Sequence, residues 1–177
     1  PHYGERWGRH WLDLARYADS NGFETDRERL HAWHYRDYVI DSFNADKPYD
    51  RFVIEQLAGD ELVSWRNAST FTDEISRCLI ATGFLRCAQD CTRVQVDDPV
   101  VEMQHRHNAR HESFETAMNA ILGINLHCAR CHDHKNDPIT QVEYYQMLAL
   151  FSAAYDVENW IPAMEYGQVE HKDLRFI

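Results

Sequence analysis

Apolar side chains recur every three to four residues in segment after segment of this chain, and no stretch keeps a period of two. Such a pattern buries one face of a helix and cannot bury one face of a sheet. Trp7, Trp11, Leu14, Ala15 and Ala18 predict a helix over about residues 4–19, with His10 at the edge of its aromatic stripe and Ser20-Asn21-Gly22 as its stop. Tyr35, Tyr38, Val39 and Phe43 mark a second helix over about 31–45. Asp46-Lys47-Pro48 opens a short third one carrying Phe52, Val53, Gln56 and Leu57, and Gly59 is expected to end it. Thr72 is a natural N-cap for a fourth, with Asp73 and Glu74 in the first turn and Ile75, Cys78, Leu79 and Ala81 behind.

Residues 87–97 read as irregular. Asp98-Pro99 then starts the longest helix, which Gly123 stops. Its expected buried stripe is Val100, Met103, His107, His111, Phe114, Met118, Ile121 and Leu122. A capping box, Thr140 to Glu143, begins the last helix, with Tyr144, Met147, Leu148 and Phe151 as its core face. The reading is a mainly α fold: a single helical domain over 1–155 with long irregular loops, and 156–177 as a C-terminal extension or the start of a linker.

Length agrees, since 177 residues make about one domain at roughly 150 residues each. With 44% apolar and 12% aromatic residues the chain has the material for a core, which excludes disorder. No apolar run approaches the roughly 20 residues of a membrane span. The net charge of −11 opposes phosphate backbones, so nucleic acid is not expected as a partner. Pro at position 1 and the lack of a signal-peptide pattern predict a fragment, or the ordered part of something longer.

One motif carries chemistry. Cys128-Ala129-Arg130-Cys131-His132 is a C-x-x-C-H run, the pattern of covalent haem c attachment. Two thiols three positions apart on a tight turn can reach the two vinyl groups of one porphyrin edge, and the adjoining His132 can bind the iron as proximal ligand. A C-x-x-C pair can also be half of a zinc site, completed by Cys87 and Cys91 or by nearby histidines, or a redox disulfide. The zinc reading makes the chain a structural or interaction module; the disulfide reading expects a βαβ context that is missing from this pattern.

The sequence also resembles the planctomycete-type cytochrome c domains of unknown function, which occur in large exported proteins. The resemblance runs from Tyr3 to about Ala154. It rests on Glu5-Arg6-Trp7 with His10-Trp11-Leu12-Asp13, on Ala15-Arg16-Tyr17-Ala18-Asp19-Ser20-Asn21-Gly22, on Tyr35-Arg36-Asp37-Tyr38-Val39-Ile40 and on Glu55-Gln56-Leu57-Ala58-Gly59-Asp60. Its most specific stretch is Cys128-Ala129-Arg130-Cys131-His132-Asp133-His134-Lys135 with Asp137-Pro138-Ile139. The resemblance implies one haem c per chain in an exported protein, periplasmic or extracellular, with a redox partner protein or an adjacent haem domain. It implies no established reaction. His34, His127, His107, His111, Cys87 and Cys91 depart from the family pattern.

An electron carrier wants a second strong axial ligand, whereas an open sixth position suits a haem redox enzyme. His10 is one candidate for the distal ligand. His107 and His111, four apart on one helical face with Met103, are rivals and could instead hold a separate metal. Each has a plainer reading as a partly buried histidine bonded to a carboxylate. His134, Lys135 and Arg130 are expected to support the proximal histidine or the propionates, and Asp133 and Asp137 to stabilise the loop. Among the remaining cysteines, Cys87–Cys91, Cys78–Cys87 and Cys78–Cys91 are alternative disulfides in an exported protein, with Cys78 most simply a buried thiol. The 15 Arg against 3 Lys favour forked pairing with carboxylates.

Overall fold

The computed structural model describes residues 2–20, 26, 28–92 and 96–158. Among them are six α-helices and no strand: α1 His2–Leu14, α2 Ala32–Asn44, α3 Tyr49–Ala58, α4 Asp73–Ala81, α5 Pro99–Leu122 and α6 Gln141–Leu150. Short 3-10 turns occupy Gly59–Glu61, Thr82–Arg86 and His127–Arg130. Within the stretch read as one helical domain, 1–155, the chain gathers into two compact units, divided after Ala88. That division falls inside the segment read as irregular. Of the extension expected over 156–177, all beyond Glu158 lies outside the described residues. No helix among the described residues is long and apolar enough to cross a membrane.

The first unit is built on a close approach of two helices. Gly4, Gly8 and Trp11 are the buried residues of α1. A side chain at Gly4 would run into the Ile40 carbonyl, and one at Gly8 would press on Val39 at 3.3 Å, so only glycines let α1 lie this near α2. The expected apolar face holds at Trp11 and Ala15, which are buried, and is corrected at its other large residues. Trp7 and Leu14 are exposed, because the small residues rather than the large ones make the contact. The helix also stops five residues earlier than its apolar spacing suggests. Arg16 adopts a left-handed conformation, φ 61°, while the Tyr17 and Arg16 amides bond back to Leu12 and Asp13. This double closure ends a helix from its C-terminal side. The Asn21-Gly22 part of the expected stop lies outside the described residues.

α2 ends in the same way on Asp46, φ 49°, with Lys47 and Asp46 amides bonding to Ser42 and Phe43. Asp46 thus closes α2 and does not open α3. Gly59 is not a left-handed stop either: its φ is −58° and it starts the next 3-10 turn. Glycine is required there because a Cβ would collide with the Cys78 carbonyl.

The core of this unit is aromatic and hydrogen-bonded. Trp11 packs edge-on against Phe52 at 4.9 Å and lies beside Phe84 at 5.7 Å. Its indole N–H is shared between the Tyr35 hydroxyl and the Gln56 carboxamide oxygen, and Tyr35 in turn donates to Gln56. Nearby, the buried Glu55 carboxylate accepts from Tyr38, Arg51 and Lys47. Burial pushes its pKa up, but those three donors outweigh burial and hold it below the usual value. Cys78 and Cys87 are both free thiols, each buried, so none of the expected disulfides, each of which needs one of them, is formed. Burial pushes the Cys87 thiol up to about 12.

In the second unit the cap signals hold. The Asp98 side chain accepts the Val100 amide, Pro99 occupies the first turn, and Gly123 takes the left-handed φ of 68° that ends α5. Both halves of the Thr140–Glu143 capping box are present at the start of α6. The buried stripe of α5 is shorter than expected. It runs through Ala109, His111, Phe114 and Met118, while Val100, Met103 and Leu122 are exposed. Phe114 meets Tyr144 and Phe151 edge-on, and this contact joins α5 to α6.

Candidate functional site

The C-terminal end of α5 and the capped start of α6 bracket the loop 123–140, which carries the C-x-x-C-H run. Cys128 lies in a 3-10 turn, His127–Arg130, pinned from below by the fully buried Ala129. Cys128 and Cys131 are both exposed thiols. Cysteine is ordinarily among the most buried residue types, so two exposed ones on a single turn are unusual for a structural role. His132 is exposed as well, and its Nδ1 lies 2.7 Å from the Asp133 carbonyl oxygen. A ring that donates Nδ1–H to a carbonyl keeps its Nε2 lone pair available for a metal.

The loop is held from several sides. The Arg130 carbonyl accepts from the Gln141 carboxamide at 3.1 Å and from the Tyr145 hydroxyl at 3.0 Å. Its guanidinium donates to Asn108 on α5 at 2.6 Å. Asp133 accepts the Gln141 amide, and His134 Nδ1 accepts the Asp137 amide, both at 2.9 Å. Asp133 and His134 therefore stabilise the loop, and Arg130 braces it through both its carbonyl and its side chain.

Beneath the loop lies a polar cluster that the sequence does not announce. Glu115 is 5% exposed, yet its carboxylate accepts from the Tyr144 hydroxyl at 2.6 Å and from His127 Nδ1 at 2.8 Å. Tyr144 is fully buried and its phenol pKa is raised, by burial first and then by Glu115. Because its proton goes to Glu115, Tyr144 accepts from His111, whose Nδ1 is 2.7 Å away. Burial, then Arg130, lowers the His111 pKa to about 4 and keeps the ring neutral. The one signal the sequence offers is a charged residue, Glu115, set among Phe114, Ala117 and Met118 on an apolar face.

The three distal-ligand candidates are placed differently. His10 is on the exposed face of α1, in the first unit, with its ring 5.6 Å from Trp7. His107 and His111 share the second unit with the motif. His107 is half-buried, 3.3 Å from an Arg110 guanidinium nitrogen, and its pKa is lowered by burial and by that charge. His111 is buried and bonded to Tyr144 rather than to a carboxylate. Next to the loop, an apolar hollow of about 450 Å³ is lined by Met118, Leu122, Leu126, Ile139, Tyr144 and Met147. It occupies the flank of α6 bearing Glu143 and Met147, whereas Gln141 and Tyr145 hold Arg130 from the next flank round.

Fold and site define a class: mainly helical proteins in which a long helix and a capped helix frame an exposed Cys-x-x-Cys-His loop. The chain belongs to the PSCyt2 family, described as a protein of unknown function (DUF1549), whose model matches residues 1–156. It is a planctomycete-type domain, so the resemblance carried by the sequence holds at the level of the family. No curated protein and no solved structure matches the chain.

Proposed function

We propose that the chain is a c-type cytochrome domain that carries one haem c on Cys128, Cys131 and His132 and transfers single electrons in an exported protein. The observation that carries this reading is the pairing of two exposed thiols on one braced turn with an adjacent imidazole whose Nδ1 lies on the Asp133 carbonyl. The donor set fits the group. Each thiol would add across one vinyl group, sulfur to one carbon and thiol hydrogen to the other, with no net loss of electrons. His132 offers Nε2 to the iron, and a histidine ligand with a carbonyl behind it is oriented and made more basic. A bound haem c supplies a one-electron iron couple.

The chain's own residues do the positioning. Arg130, Gln141 and Tyr145 keep the turn rigid, which limits the reorganisation that accompanies a change of charge. The acidic balance, −11 overall, suits docking to a partner with a basic face, or to an adjacent haem domain. Absorption spectra of oxidised and reduced protein, with a pyridine haemochrome measurement, test the reading. Covalent haem that stays with the denatured chain in acidic organic solvent is the expected result. A colourless chain, or colour that extracts fully, overturns it. Carbon monoxide binding to the reduced protein without loss of a protein ligand would assign the haem to a redox enzyme with an open sixth site instead.

A further inference from the structure

The cluster of Glu115, Tyr144, His111 and His127 is more than a packing solution. A carboxylate 5% exposed in a helix is costly unless several donors satisfy it, and a phenylalanine or glutamine would fill the same position without that cost. Two of its donors come from outside α5: Tyr144 from α6 and His127 from the loop. His127 directly precedes Cys128, and its own amide is fixed by Asn125 at 3.1 Å. The imidazole is 65% exposed, so its bond to Glu115 is not forced by burial of the ring. It is a tether running from a buried anion to the residue next to the first sulfur. Arg130, on the same turn, and Arg110 are the cations whose fields reach this cluster.

We propose that Glu115 is the positioning residue of the haem-attachment loop, holding Cys128 through His127 and placing a buried negative charge against the loop that would carry the haem. The inference rests on the cytochrome reading above. Two consequences separate it from simple packing. A buried negative charge stabilises the oxidised, more positive iron, so removing it moves the reduction potential upward. Removing a neutral donor to the same carboxylate leaves the charge in place and moves the potential little. Loss of the tether instead affects how completely the first thioether forms.

Reduction potentials of the full haem-loaded chain, native, Glu115→Gln and Tyr144→Phe, test the first consequence. The expected result is a positive shift in Glu115→Gln and a much smaller change in Tyr144→Phe. Equal potentials in native and Glu115→Gln protein overturn the proposal, as do equal shifts in the two variants, which a purely structural role would give. His127→Ala changes an exposed ring and keeps the experiment decisive if Glu115→Gln does not fold. Mass spectrometry of that variant should find chains linked through Cys131 alone, and complete linkage at Cys128 would overturn the tether. Native chain without any covalent haem would instead overturn the cytochrome reading and this inference with it.

Discussion

The indole N–H of Trp11 points at the Gln56 carboxamide oxygen, 2.8 Å away, in the middle of an otherwise aromatic core. Gln56 is fully buried, and its own amide nitrogen is satisfied by the Phe52 carbonyl one helical turn back. The side chain therefore meets three needs at once: the indole of α1, the phenol of Tyr35 on α2, and its own amide group. A buried polar group in such a position fixes one arrangement of the three helices, since any slip leaves a donor without an acceptor.

Replacing Gln56 with Leu tests that arrangement. The Trp11 N–H keeps the Tyr35 oxygen, but the Tyr35 hydroxyl proton loses its acceptor in a buried site. One orphaned buried donor costs about 1–3 kcal/mol. Urea unfolding of the full chain should show a loss in that range with an unchanged denaturant slope. A loss below about 0.5 kcal/mol would mean that the network is not organising the core.

Two backbone positions make opposite predictions. A Cβ at Gly59 meets the Cys78 carbonyl, which is backbone and cannot rotate away, so Gly59→Ala should destabilise by about 1–3 kcal/mol. Asp46 is exposed and sits at φ 49°, where a side chain is strained and glycine is not. Asp46→Gly should therefore stabilise by roughly 0.5–1 kcal/mol despite the added freedom of the unfolded chain. Thermal melts of the two variants should move in opposite directions, and a lower melting temperature for Asp46→Gly would contradict the assignment.

These positions also show what the sequence reveals and where it stops. Thr72, Asp98-Pro99, Gly123 and the Thr140–Glu143 box act through neighbours within four residues, so each cap is legible from local spacing alone. α1 departs from its apolar spacing because its close packing is set by Gly4 and Gly8, which a count of apolar residues passes over, and its stop by Arg16, which leaves no glycine signal. Gly59 is legible as special, but the cause is a contact with Cys78, far away in the chain. At the site, spacing alone singles out Cys128, Cys131 and His132. Glu115 and Tyr144 stay hidden because their partnership spans 29 positions and exists only once α5 and α6 are side by side.

The same cluster gives the second unit a pH dependence of defined sign. His111 is lowered to about 4, first by burial and then by Arg130 and Arg110, with Glu115 opposing and His107 adding to the effect. Its neutral ring donates Nδ1–H to Tyr144, whereas in the unfolded chain the imidazole has its ordinary value near 6.5. Between those two values the unfolded chain binds the extra proton, so stability is fully present above about pH 6.5 and drains away as pH falls toward 4. At 1.36 kcal/mol per unit the contribution at stake is roughly 2–4 kcal/mol. His111→Gln retains a donor for Tyr144 but has nothing to titrate. Urea unfolding at pH 7, 5.5 and 4.5 should show a steeper decline for the native chain than for this variant. The Glu55 cluster of the first unit acts below this window, since its carboxyl is held under the usual value, and it is common to both proteins. Parallel declines would mean that His111 is protonated as readily in the folded chain as in the unfolded one, and that Tyr144 is not its acceptor.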